Sequence, residues 1–392
     1  MRPRLKPTLR PAWRGPDQLQ LGLEPTVAVA LAGVTPRTTR LLAALDGTRD
    51  ASGLLRAAAE LGFDEPTAQR LLDALTEAGA VEDAALDRLA LDGLGPAERA
   101  RLGPELAALG LRHRAAGVAQ RLLAGRRRRA VTVVGASRVG SVLAALLAAS
   151  GVGTVALRDP DPADAADALP GGLTAGDAGR AREVAGVDLL RRVAPEVTVT
   201  PSRRPDLLLL APPEGLVTGH EGLLRSGVPH LLATVRDGIG TVGPLVIPGR
   251  TPCLRCVDLH RTDRDRAWPL LLAQLAPAGA PSRAGPTDAS DPPEPGAATA
   301  TACDSVLATA VAAHAAWQAL AFLDGAMAEG DLLATVAGSL RIEWPGGVVR
   351  RRSWRPHPAC GCQWAALAAA APDDQAPDDQ APDDQAPDDQ AP

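Results

Sequence analysis

From Ala130 onward the chain alternates short apolar runs with helical patterns, and this alternation narrows the possible folds more than any other feature. Residues 131–134 form a short, nearly continuous apolar run, the pattern of a strand covered on both faces. Gly135-Ala136-Ser137-Arg138-Val139-Gly140 follows, then a helical segment at 141–149 and a strand at 154–157. Residues 182–193 read as helix, 197–200 and 206–210 as strands, 221–225 as a short helix and 230–235 as a further strand. Strands and helices in turn build a parallel sheet with helices on its faces, so the fold class is α/β, a Rossmann-like doubly wound sheet. Residues 276–300, rich in Pro, Ala, Gly and Asp, are expected to form a mobile loop. An Ala-rich helix over about 301–322 comes next, then strand-like segments near 332–337, 340–344 and 348–351.

The chain before residue 130 has a different pattern. Residues 8–13 and 18–23 alternate and are joined by Gly15-Pro16-Asp17, the chemistry of a hairpin turn, and 27–31 is a third short apolar run. Thr35-Pro36 opens a helical pattern that Asp46-Gly47 stops, Asp50 caps a second with Leu54, Leu55 and Ala58 on one face, and Asp64 with Pro66 opens a third. Leu71, Leu72 and Leu75 recur at helical spacing in that third segment, and Gly79 ends it. Three short strands and three short helices make a small, winged-helix-like α+β domain over residues 1–85. A helical connector spans 86–129 and ends in Arg126-Arg127-Arg128-Arg129. No aromatic residues interleave with these arginines, which favours a solvated linker end over a nucleic-acid surface.

Composition settles smaller points. Aromatics are only 2% of the chain, with no Tyr, so the core must be built from Leu, Val and Ala. Residues 371–390 are four copies of APDDQ, and without their eight aspartates the net charge moves from −5 to about +3. With no apolar residue larger than Ala or Pro, these repeats cannot bury enough surface to offset their ordering entropy, and the tail 366–392 is expected to be disordered. The doubly wound domain then covers 130–365. Residues 1–14 are basic with no apolar stretch behind them, so no secretory signal is expected. No run of about 18 uninterrupted apolar residues occurs, so no membrane span is expected. A cytoplasmic location follows, where closely spaced cysteines bind metal more often than they form disulfides.

Two constellations carry chemistry. Cys253-Leu-Arg-Cys256 and Cys360-Gly-Cys362 are two tight pairs about a hundred residues apart, and together they can present four thiolates to one tetrahedral, structural zinc. His260 and His357 are nearby alternative ligands. Cys303 stands alone in an Ala-rich stretch, either a small buried residue or a nucleophile. The second constellation is the strand–turn–helix at 131–149, whose Gly135 and Gly140 permit a tight turn and close approach of a phosphate to the helix N-terminus. The middle glycine of such a turn is Ser137 here. Asp159 and Asp161 lie at the end of the second strand, where a carboxylate can accept from ribose hydroxyls or simply face solvent.

Taken in order, the segment 131–140, Ser150-Gly151-Val152-Gly153, Asp159-Pro-Asp161, Asp177-Ala-Gly179-Arg-Ala-Arg182 and Thr251-Pro-Cys253-Leu-Arg-Cys256 resemble the ThiF family. These are the ubiquitin-activating-type adenylyltransferases, which activate a protein or peptide C-terminus with ATP. The similarity covers about residues 125–365. It implies that Gly135, Gly140 and Asp159 hold ATP with magnesium and that Cys253, Cys256, Cys360 and Cys362 hold zinc. Asp161 and Arg182 match later acidic and basic positions of the family. No catalytic residue is implied. Where the family has an Asn-Leu-x-Arg-Gln segment, this chain has residues 168–174 with no Asn, Arg or Gln. Where the family's next strand ends in a magnesium-binding Asp, residues 206–210 run into Ala211-Pro212-Pro213-Glu214, and only Glu214 offers a carboxylate. Each lost group removes several kcal/mol, on the order of 3, of transition-state stabilisation, so the adenylylating site is expected to be degenerate.

Residues 1–85 resemble the PqqD-like leader-peptide recognition element, which takes its peptide as an added strand on a sheet edge. The resemblance implies residues 27–31 as the receiving edge, with Leu71 and Leu75 on the adjoining helix. Joined to a ThiF-like domain, this resembles the leader-binding partner proteins of azole- and azoline-forming cyclodehydratases. The implied partners are a ribosomal precursor (leader) peptide and a modifying enzyme such as a cyclodehydratase, with a homodimer as a family trait. Three alternatives remain open: a working ATP-dependent adenylyltransferase in which Arg138, Arg180 or Arg182 replaces the missing Arg, an NAD-dependent oxidoreductase, and a DNA-binding or structural winged helix.

Overall fold

The first eighty residues fold around their helix caps. A computed structural model describes residues 1–213, 217, 220–275, 302–327, 333–343 and 345–363. Glu214, the stretch 276–300 and the APDDQ repeats lie outside them. Strands β1 (Pro3–Leu5), β2 (Pro11–Gly15), β3 (Gln18–Leu21) and β4 (Val29–Leu31) precede helices α1 (Pro36–Ala43), α2 (Ala51–Glu60) and α3 (Glu65–Glu77), and β5 (Val81–Asp83) closes the set. Thr35, Asp50 and Asp64 each accept a backbone N–H of the first helical turn, and these were the residues from which the sequence places the helices. The hairpin and its third strand form an antiparallel sheet in the order β2-β3-β4. Sequence reasoning missed the pairing of β1 with β5, because three residues are too few to show a period. Leu19, Leu21, Leu41, Leu54, Leu72 and Leu75 form the shared core.

The connector is helical, as expected, in α4 (Ala84–Ala90), α5 (Pro96–Arg112) and α6 (Val118–Arg126). Its arginine run is solvated at Arg127, Arg128 and Arg129, which are exposed, but not at Arg126. Arg126 is fully buried and donates to Asp324 at 2.8 and 2.6 Å and to the Ser150 carbonyl at 3.3 Å. Arg127 pairs with Glu98 at 3.2 Å and Arg129 with Asp206 at 2.9 Å. Charge counting along a sequence cannot reveal acids that arrive from 29 to 198 residues away.

The larger unit comprises β6 (Ala130–Val134), α7 (Arg138–Ala149), β7 (Thr154–Arg158), α8 (Arg182–Val193), β8 (Leu207–Leu210), α9 (His220–Arg225), β9 (His230–Arg236), β10 (Ile239–Val246), α10 (Leu254–Thr262), α11 (Trp268–Leu275), α12 (Ser305–Leu323), β11 (Gly338–Glu343) and β12 (Val348–Ser353). Its seven strands run β12-β11-β10-β9-β8-β6-β7; β7, β6, β8 and β9 are parallel and the remainder antiparallel. Leu207 and Leu209 pack in the cluster that holds α7 and α12, whereas Leu208 and Leu210 pack with Cys253, Cys256 and the leucines of α9. Both faces are therefore apolar, which explains the continuous hydrophobic runs.

Two expected strands are reduced. Residues 197–200, hemmed by Pro195 and Pro201, make a single parallel bridge, Thr154 to Thr198. The described part of 332–337 is a turn with one bridge, Leu245 to Val336. Strand β10 was missed because Gly240, Gly243 and Pro244 break its pattern; the ladder to β9 shifts register between Val242 and Leu245. Helix α12 is long and apolar enough to cross a membrane by length and composition. It is instead the core helix of this unit, with Ala308, Val311, Ala312, Ala315 and Ala319 buried and packed on α7, β9 and β10.

Removing one partner of a buried ion pair leaves the other charge uncompensated. Arg126→Ala is expected to lower unfolding free energy by about 3 kcal/mol in urea titrations. Arg128→Ala, at an exposed neighbour, should change it by less than about 0.5 kcal/mol.

Candidate functional site

Two centres are built on this frame. The first is the turn between β6 and α7. Gly135 has φ +91°, and a Cβ there would stand 2.1 Å from the Ala211 carbonyl oxygen at the end of β8. At Gly140 a Cβ would stand 1.9 Å from the Gly135 oxygen. Both glycines are thus demanded by backbone packing, whatever the turn binds. Asp159, buried at the end of β7, accepts from the Ala136 N–H at 2.8 Å and from the Asp161 N–H at 3.3 Å. Burial pushes its carboxyl above the usual range, against those N–H groups and Arg182, whose guanidinium lies 3.6 Å away. Arg182 also donates to Asp167 at 2.7 Å. Asp161 joins through its backbone, its carbonyl accepting from the Arg182 N–H at 2.9 Å, while its side chain is exposed. The structure thus brings Gly135, Gly140, Asp159 and Arg182 together and leaves the Asp161 carboxylate outside.

Arg138, the first residue of α7, ties this turn to neighbouring segments. Its guanidinium donates to the Ala166 and Ala168 carbonyls and to Ser305 Oγ at 2.7 Å, beside Cys303. Its Nε is buried and, like Ser141 Oγ one turn further on, has no partner among the described residues. Unpartnered polar atoms at a helix N-terminus suit an anion. The turn therefore keeps a phosphate-compatible corner, although the Ala136 N–H is spent on Asp159. Cys303 is buried, and burial raises its thiol pKa, the setting of a packed residue more than of a nucleophile.

The second centre is the cysteine cluster. Cys253 caps α10, Cys256 lies in its first turn, and Cys360 and Cys362 flank Gly361 beyond β12. The Sγ separations are 3.8 Å for Cys253–Cys256 and 3.4 Å for both Cys253–Cys360 and Cys256–Cys362. Four sulfurs at about 2.3 Å from one tetrahedral ion stand about 3.8 Å apart, so the set fits zinc. Cys256 is the preferred thiolate, lowered to about 4 by the Cys253 S–H and the His357 N–H. That same bond to Cys256 pushes Cys253 up, and burial raises Cys362 to about 12. Without a cation the cluster resists carrying several negative charges, and a divalent ion removes that obstacle. The two histidines stand apart from the sulfurs. His357 approaches only through its backbone N–H, 3.3 Å from Cys256 Sγ, and its ring pairs with Asp263 at 2.9 Å. His260 bonds the Arg355 carbonyl at 2.9 Å.

Comparison with known proteins agrees with this architecture. Residues 114–205 match the ThiF family and residues 35–84 the IclR helix-turn-helix domain. No curated protein matches the sequence. Among solved structures, E. coli MccB with ATP is 15% identical at a TM-score of 0.61, covering 93% of this chain and 100% of that one. The microcin C7 biosynthetic enzyme MccB in complex with N-formylated MccA is 14% identical at a TM-score of 0.62, with 93% and 100% covered. PaaA is 14% identical at a TM-score of 0.59, with 88% and 98% covered.

Protein purified without chelator is expected to carry about one zinc per chain by elemental analysis. Cys256→Ser should remove the metal and lower the melting temperature by more than about 5 °C; a metal-free wild type of unchanged stability would sink the zinc assignment. The family match, the sheet order and the structural neighbours together give this chain a ThiF-like fold.

Proposed function

We propose that the chain captures a ribosomally made precursor (leader) peptide with residues 1–85 and presents it to a modifying enzyme such as a cyclodehydratase, its own adenylylating site being degenerate. The observation that carries this reading is the open edge of the small sheet. β4 ends the order β2-β3-β4, so one side of its backbone is free to pair with an extended peptide. Val29 and Leu31 are half-buried beside the core that also holds Leu71, which leaves apolar surface at that edge. Leu75 is fully buried and cannot touch a peptide, so the contact from α3 falls to Leu71. The MccB structures with MccA support a peptide partner. DNA binding fits poorly, because α3 carries Glu65, Asp73 and Glu77 against Arg70 alone. The cysteine cluster would act as a structural clip, and a cytoplasmic site of action and a homodimer remain part of this proposal.

The degenerate site rests on residues 168–174 and on Arg138, which is tied to carbonyls. One observation favours a second reading, ATP-dependent adenylylation: the unpartnered Arg138 Nε and Ser141 Oγ would welcome a phosphate, and E. coli MccB was solved with ATP.

Hydrogen exchange on the full chain with candidate precursor peptides tests the first reading. A binding peptide should slow exchange across residues 27–33 and along α3, and Leu71→Asp should weaken it at least about tenfold. Protection confined to other segments would refute the edge. Calorimetry with magnesium–ATP tests the second: micromolar binding with peptide-dependent AMP formation would establish it, and no heat would leave peptide presentation.

A further inference from the structure

A cavity of about 210 Å³ lies between β9, β10 and β11 and the helices α10 and α11. It opens on the face turned away from α12, where Leu232 and Thr234 point, and is separate from the β6–α7 turn. Three guanidinium groups line it: Arg236 at the end of β9, Arg261 on α10 and Arg341 on β11. Arg236 and Arg261 both lie over the ring of Trp268, at 5.5 and 4.8 Å.

Of the acids around these arginines, Asp258 and Glu343 are already engaged, and Asp237, which also lines the cavity, is exposed and pairs with no arginine among the described residues. Asp258 faces His220 Nε2 at 3.1 Å, the Trp268 indole N–H at 3.2 Å and Arg261 at 3.4 Å. Glu343 takes Arg341 at 2.8 Å and Arg350 at 3.4 Å. Arg236 has no carboxylate within ion-pair distance among the described residues. Burial and the neighbouring Arg236 push the Arg261 guanidinium down, although Asp258 beside it acts in the opposite direction. Two further polar atoms in the same wall, Thr234 Oγ1 and His220 Nδ1, are buried without partners among the described residues. Thr234 is only 5% exposed. A buried hydroxyl and ring nitrogen left unbonded are costly unless something else satisfies them. Leu254, Val257, Leu272 and Trp354 give the cavity an apolar wall, and Thr241 and Ser339 add further hydroxyls to the lining.

We infer that this cavity binds a carboxylate carried on a small apolar body, with Arg236 and Arg261 taking the charge and Thr234 offering a hydroxyl. The volume and the apolar wall suit one hydrophobic residue bearing a free carboxylate. Two sources share that chemistry, a free organic acid and the C-terminal residue of a peptide. The inference does not depend on the edge-strand reading, since the cavity lies outside residues 1–85.

The test is calorimetry on the full chain with four probes: 4-phenylbutyrate, N-acetyl-leucine, N-acetyl-leucinamide and inorganic phosphate. Both carboxylates are expected to bind, the neutral amide at least about tenfold more weakly, and phosphate more weakly than either. Arg236→Gln and Arg261→Gln should each cost about tenfold or more, while Arg192→Gln on α8 should change nothing. The Trp268 indole N–H resonance should shift on binding, which keeps the test decisive if Arg261→Gln fails to fold. Short peptides ending in leucine then separate the sources: tighter binding than N-acetyl-leucine supports a peptide terminus, equal binding a free acid. No saturable binding of either carboxylate up to about 10 mM, or binding indifferent to both substitutions, would overturn the assignment.

Discussion

A parallel strand exposes no face to water without cost, and the structure is organised around covering four of them. One face receives α7 and α12, the other α9, α10 and the cysteine cluster. A chain with 2% aromatics cannot cover a sheet with large rings. It does so with short side chains at close range, and the buried alanines of α12 let that helix lie against β9 and β10. Close packing of this kind tolerates little change in volume, since interiors are near crystal density. The glycines of the β6–α7 turn obey the same rule, because at both positions backbone atoms occupy the space of a side chain.

The two centres differ in what they ask of the chain. The cysteine cluster joins the start of α10 to the segment after β12, closing a loop of about a hundred residues around the antiparallel half of the sheet. In the turn centre Asp159 and Arg182 face one another at 3.6 Å and hydrogen-bond to the adjoining loops. Asp159 and Arg182 are thus engaged within the turn, and the unpartnered polar atoms left there are the Arg138 Nε and Ser141 Oγ.

Local signals were legible in the sequence and distant ones were not. Thr35, Asp50 and Asp64 announce their helices because a cap acts within three residues. The pairs Cys253–Cys256 and Cys360–Cys362 announce a cluster because tight spacing already implies a shared ligand. By contrast, β1 and β5, the partners of Arg126 and the cavity beside Trp268 depend on segments far apart in the chain. Asp159 was legible as the acid at a strand end, but its bond to the Ala136 N–H was not, since nothing in residue type distinguishes a carboxylate facing a ligand from one facing its own loop.

The Arg126–Asp324 pair bears on where this protein can be divided. Composition changes at residue 130, and a cut there looks natural. Yet Asp324, just past the last turn of α12, is only 10% exposed and relies on an arginine from the preceding helix. The Arg127–Glu98 pair and the bonds from Arg101 to the Ala148 and Ala149 carbonyls fasten α5 to the same region. A cut at residue 130 would therefore sever α5 and α6 from the ThiF-like body they pack on, and the bonds from Gln120 to Asp87 and from Lys6 to the Gly110 carbonyl show that these helices hold the preceding residues as well.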